Sequence, residues 1–125
     1  MSTRSLIGFK DDKGITGIYC HYDGYPGHVG KILVGYHNSA AAMRSLIDGP
    51  QIRNFDNDGQ YARFTDSGPE SAVETCKTIE EALDSGFDYV YLFDGKWNCY
   101  TRPDAPYTSG PAELVEIPQS EDESC

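Results

Sequence analysis

From Tyr19 to Leu33 the chain reads Tyr-Cys-His-Tyr-Asp-Gly-Tyr-Pro-Gly-His-Val-Gly-Lys-Ile-Leu, which gathers the groups that do chemistry at neutral pH: two histidines, an aspartate, three tyrosines and a lysine. A glycine-shaped turn carrying such side chains is the composition of a binding loop. His21 or His28 would serve as a base with Asp23 to orient it, and Tyr19, Tyr22, Tyr25 or Cys20 would supply the reacting hydroxyl or thiol. His21, Asp23 and His28 would also serve as ligands to a metal, with His37 as a fourth. Gly24, Gly27 and Gly30, followed by Lys31 at a helix start and joined by Arg4, would cradle an anion. Tyr22 and Tyr25 on either side of Asp23 would make a protein contact of rings around a charge.

Spacing separates these options. Cys20 and His21 are consecutive in an extended run and face opposite ways, which is poor geometry for a thiolate-imidazole pair. The histidines do not share a helical turn, and no cysteine pair stands near them, as structural zinc sites require. Gly30-Lys31 runs into Ile32 rather than Ser or Thr, so the loop is not a Walker motif. Asp56-Asn57-Asp58-Gly59 has some calcium-loop character, but the twelfth place counted from Asp56 is Ser67 rather than glutamate. The expectation is therefore no catalytic residue, no metal and no cofactor, with Arg4, His21, Tyr22, Asp23, Tyr25, His28 and Lys31 contacting a ligand or partner.

The elements that must hold this loop are readable on both sides of it. Arg4 to Phe9 and Ile15 to Tyr22 are apolar runs joined by a polar turn ending in Gly14, a β-hairpin pattern. Val29, Ile32, Leu33 and Tyr36 follow helical spacing from a start near Gly27 or His28. Asn38 or Ser39 caps a second helix whose Met43, Leu46 and Ile47 face the core, and Gly49-Pro50 stops it. Asp56 to Gly59 is a turn, and Gln60 to Thr65 a short strand. Thr78 and Glu81 form a capping-box pattern over a third helix ending at Gly86. Phe87 to Phe93, Asp94-Gly95 and Lys96 to Arg102 make an aromatic hairpin, with Tyr89, Tyr91 and Phe93 on one face and Val90 and Leu92 on the other. Leu114 to Ile117 adds an edge strand. The predicted fold is a single α+β domain over residues 1–118, a mostly antiparallel sheet with two or three helices on one face, and an acidic disordered tail over 119–125.

Charge is divided unevenly. Residues 1–62 hold six Lys/Arg and six Asp/Glu, whereas residues 63–125 hold four and fourteen, so the second half carries the whole net charge of -10. Such a field opposes phosphate backbones and attracts basic surfaces. Glu80, Glu81, Asp84 and Asp88 are the expected acidic interface. Cys20, Cys76, Cys99 and Cys125 are widely scattered, which points to thiols rather than a disulfide framework. With no apolar stretch of about 18 residues and no signal-peptide start, a cytoplasmic protein is expected.

Several of these runs resemble a known family. Ser2-Thr3-Arg4-Ser5-Leu6-Ile7-Gly8, then Ile18-Tyr19-Cys20-His21-Tyr22-Asp23-Gly24-Tyr25-Pro26, Val29-Gly30-Lys31-Ile32-Leu33 and Ser45-Leu46-Ile47-Asp48-Gly49 are similar to small, mostly uncharacterised proteins of bacteriophages and prophages. The resemblance covers residues 2–55 well and Tyr89 to Tyr100 loosely; Gly49-Pro50-Gln51-Ile52 stands where the family has Gly-Asp-Ile-Ser. It implies an accessory factor acting in the host cytoplasm that binds and inhibits a host protein or defence complex through an acidic, nucleic-acid-mimicking surface. The alternatives are a protein that sequesters a nucleotide or other small anion in the Tyr19 to Leu33 loop, and a small enzyme using His21 and Asp23. The partners left open are a basic host protein, a nucleotide or small anion, and a second copy of the chain; direct nucleic-acid or membrane contact is not expected.

Overall fold

The computed structural model describes residues 3–22, 24–48, 51–56, 58–63, 74–101, 113–115 and 117. The predicted acidic tail, Asp23 and the Gly49-Pro50 helix stop lie outside the described residues.

Strand β1 (Ser5–Asp11) and strand β2 (Gly14–Cys20) form the expected hairpin, with Ser5 opposite Cys20 and Asp11 opposite Gly14. The Asp11 carboxylate tightens the two-residue turn by accepting from the Lys13 N–H at 2.9 Å. A π-helical turn, Pro26–Gly30, leads into α1 (Lys31–Tyr36). Next comes α2 (Ala40–Ile47), capped by Ser39, whose hydroxyl oxygen accepts from the Ala42 N–H at 3.1 Å. β3 (Ile52–Phe55) and β4 (Tyr61–Arg63) follow, then β5 (Glu74–Cys76). Helix α3 (Ile79–Asp84) starts at Thr78, whose Oγ1 accepts from the Glu81 N–H at 3.0 Å. The Glu81 carboxylate reaches one residue further back than a standard capping box, to the Lys77 N–H at 2.5 Å. β6 (Tyr89–Phe93) and β7 (Trp97–Thr101) close around Asp94-Gly95-Lys96, where Gly95 takes a φ of 74°. β8 (Glu113–Val115) pairs with β7.

These eight strands make one mixed sheet in the order β4-β3-β2-β1-β6-β7-β8, with β5 paired to the start of β2 on the same side as β3. Antiparallel pairing predominates, as expected. The two parallel contacts, β1 with β6 and β2 with β3, come from long connections that local sequence does not specify.

Alternation along the strands divides the apolar residues into two clusters. Ile7, Ile18, Cys20, Tyr91, Trp97 and Cys99 face α1 and α2, meeting Val29, Leu33, Met43 and Leu46. On the opposite face Leu6, Ile15, Val90 and Leu92 meet Ala82 and Phe87, with Ile79 and Leu83 packed against them. The expectation of helices on one face therefore needs correction: α3 covers the second face. The physical reason lies in β6, which is apolar on both sides and must be buried on both. Among the described residues no helix is long and apolar enough to cross a membrane.

Two local departures bear on the loop. Tyr36, expected on the buried stripe of the first helix, is 59% exposed. Its ring lies over Gly59 instead, where an added Cβ would stand 2.4 Å from Tyr36 Cγ. Strands β3 and β5 were not legible, yet Ile52 and Phe55 of β3 are core residues.

Candidate functional site

The root of the loop is pinned from two directions. Gly24 donates its N–H to the Thr3 carbonyl at 2.8 Å, and its own carbonyl accepts from the buried Tyr91 hydroxyl at 2.6 Å. A Cβ at Gly24 would sit 2.8 Å from Ser5 Cβ, Ser5 Oγ and the Thr3 oxygen, so only glycine fits between the first strand and the loop. Main-chain bonds from His21 N–H to the Ile52 carbonyl (3.1 Å) and from Tyr22 N–H to the Arg53 carbonyl (3.0 Å) fix the preceding residues to β3. The root of the loop is thus hydrogen-bonded to the sheet.

The histidines in and after the loop have structural work. His28 Nε2 donates to the Phe55 carbonyl at 2.9 Å, and His37 Nε2 donates to the Gly59 carbonyl at 2.8 Å. A carbonyl oxygen only accepts, so in each ring the proton sits on Nε2, and that nitrogen is closed to proton abstraction and to metal. Together they tie the β3–β4 hairpin to the helical segment that follows the loop. The His37 carbonyl in turn accepts from Trp97 Nε1 at 3.0 Å. His21 shares a hydrogen bond between its Nδ1 and the Tyr19 hydroxyl, and its ring stands edge-on to Tyr22 at 4.4 Å. Among the described residues no group of three or more His, Cys, Asp or Glu is placed to hold a metal ion.

The anion cradle expected at the helix start changes as well. The Lys31 N–H is directed to the His28 and Pro26 carbonyls, and the His28 N–H donates to the Tyr25 carbonyl at 3.0 Å. These donors are satisfied inside the turn. Arg4 and Lys31 also part company: Lys31 opens α1 on one face of the sheet, whereas Arg4 lines a cavity of about 200 Å³ with Tyr19, Gln51, Ser85, Gly86 and Phe87 beside the end of α3. Neither Gln51 nor the Ser85 to Phe87 segment carried a local signal of this role, because the cavity exists only once α3 is folded against the end of the hairpin.

Among the described residues of the loop, the large exposed side chains are aromatic. Tyr22 and Tyr25 are 41% and 42% exposed, and the Tyr25 ring lies 6.2 Å from that of His28. The acidic residues lie elsewhere. Glu81 and Asp84 are exposed on α3, Glu80 is half-buried beside them, and Ile79, Ala82 and Leu83 occupy the inner side. Asp88 is exposed too, but its carboxylate accepts from the Arg4 N–H at 3.0 Å, an internal role that the sequence did not announce.

Beneath the loop root, Tyr91 and Cys99 are both fully buried. Burial pushes the Cys99 thiol up to about 12, against a smaller downward pull from its hydrogen bond with Tyr91. Burial likewise raises the Tyr91 phenol, with Cys99 adding to the rise. Both groups stay protonated in the folded state while the unfolded chain releases protons, the thiol from its ordinary value of 9.0 upward. Their contribution is intact below that value and is lost as pH climbs towards about 12. Urea denaturation at successive pH values should show stability falling over this window, by up to about 1.4 kcal/mol per unit per group. Cys99→Ala should flatten the fall; an unchanged slope would count against the buried thiol as its source.

A scan against protein-family models matches none, and searches of curated proteins and of solved structures return no match. The functional reading therefore rests on the geometry of the chain itself.

Proposed function

We propose that this protein is a binding module that engages a basic surface on another protein, and that the Tyr19 to Leu33 segment is a contact platform rather than a catalytic loop. The observation that carries this reading is the outward side of α3, where Glu80, Glu81 and Asp84 are grouped on six residues that include no lysine or arginine. Close charges of one sign raise the local potential and steer an oppositely charged partner. The exposed rings of Tyr22 and Tyr25, on a loop root held by hydrogen bonds, supply contact area at little ordering cost. The resemblance to phage accessory proteins adds a context: the partner would be a host protein or defence complex whose basic surface normally holds nucleic acid, and binding would inhibit it.

The test is affinity capture from host lysate at low and high salt, comparing the parent protein with a Glu80→Gln, Glu81→Gln, Asp84→Asn variant. The amides keep the shape of the side chains and the Glu81 cap while removing three charges. A specific partner should be retained by the parent at low salt, weakened by salt, and bound at least tenfold more weakly by the variant. Capture that ignores both salt and charge removal would reject the proposal.

A further inference from the structure

We infer that the cavity between the start of β1 and the end of α3 is a binding site for a small aromatic monocarboxylate, anchored by Arg4. It is about 200 Å³ in volume, and its described lining is Arg4, Tyr19, Gln51, Ser85, Gly86 and Phe87. Three features define what fits.

The first is charge. Arg4 is the one ionised side chain in that lining. The Asp88 carboxylate nearby bonds to the Arg4 main-chain N–H, and no ion pair to the guanidinium is found among the described residues. A guanidinium presents paired donors that match a carboxylate. The Tyr19 hydroxyl is held by His21, the Ser85 hydroxyl donates to the Glu81 carbonyl at 3.0 Å, and Gln51 adds a side-chain amide to the lining.

The second is shape. Tyr19 and Phe87 place their rings 5.8 Å apart at 59°, forming an aromatic wall suited to a planar, apolar body. Pockets for drug-sized ligands begin at about 300 Å³. A volume of about 200 Å³ has room for a single ring with its carboxylate, and the site opens to solvent at Arg4, Ser85 and Gly86, which are exposed.

The third is the surrounding field. The cavity lies at the C-terminal end of α3, beside Asp88, in a chain of net charge -10. Helix C-termini carry partial negative charge, and each added ligand charge increases the repulsion. One negative charge is offset by Arg4, whereas a phosphate dianion brings a second with no further cation in the described lining. This site is independent of the acidic outer side of α3, so either reading can fail alone.

The experiment is an amide-resolved NMR titration of the full chain with sodium benzoate, benzyl alcohol and inorganic phosphate in parallel. Benzoate should give saturable shifts centred on residues 4, 19, 51 and 85–87, with benzyl alcohol at least tenfold weaker and phosphate without effect there. Arg4→Gln should weaken benzoate at least tenfold while the rest of the spectrum is retained, and Gln51→Ala, on a separate segment, should also weaken it. Shifts that do not saturate, that scatter elsewhere, or that survive in both variants would overturn the site. Phosphate binding at the same residues would overturn the ligand class.

Discussion

Gly8→Ala is expected to destabilise the protein by about 3 kcal/mol or more, the upper range for forcing atoms into a packed interior. Gly8 stands directly opposite Gly17 in the β1–β2 register. A Cβ at position 8 would lie 1.9 Å from the Thr16 carbonyl oxygen and 2.5 Å from Gly17 Cα, both main-chain atoms. No rotamer change relieves such a clash; the two central strands must separate or shift. Because β1 also pairs with β6, a shift on one edge disturbs the other. Domains of this size are typically stable by only about 5–15 kcal/mol, so a large share would be lost. Gly35→Ala is the matched control. An added Cβ there meets nothing within 4 Å, the residue lies in α1, and a gain of up to about 1 kcal/mol is expected. Urea denaturation of both variants checks the pair; similar midpoints would show that the strands tolerate a side chain where none should fit.

Tyr91→Phe should cost about 1–3 kcal/mol, because it removes one hydroxyl and leaves the Gly24 carbonyl without the donor that reaches it from β6. The ring volume and its packing are unchanged, so the loss isolates the hydrogen bond. Its effect should also be local. The Gly24 N–H, bonded to Thr3, should exchange with solvent faster than in the parent, while amides of the β6–β7 hairpin keep their relative protection. If stability stays within about 0.5 kcal/mol and the Gly24 amide is equally protected, the loop root is held by packing alone. Should the loop serve as a rigid contact platform, the same variant would weaken partner binding although Tyr91 is buried and no contacting atom is removed.

The elements that sequence resolved were those whose cause is local. The β1–β2 and β6–β7 hairpins follow from turn chemistry at Gly14 and Asp94-Gly95, and α2 and α3 from the Ser39 and Thr78 caps. The alternation in Tyr89 to Phe93 correctly assigned its two faces. Strand β3 escaped because it has four residues and an irregular register with β4, and its burial comes from β2 and the helices rather than from its own pattern. Histidines 28 and 37 drew notice as candidate chemistry, but their partners are carbonyls 27 and 22 residues away, which spacing does not reveal. For Arg4 the type of residue was informative and its company was not. The sequence associated it with Lys31, and folding placed it with Gln51 and Ser85 to Phe87.

The parallel pairing of β1 with β6 also sets a clock on biosynthesis. Ser5 meets Tyr89, and Gly8 meets Leu92, so one side of the first strand stays unsatisfied until the sixth has been made. At about 5–20 residues per second, the interval between Ser5 and Tyr89 is roughly 4–17 s on the ribosome. During it the nascent hairpin exposes an unpaired edge flanked by Leu6 and Ile7, the kind of surface that associates with other chains. Yield during expression should therefore depend on translation speed and chaperone supply more steeply than the stability of the finished domain implies.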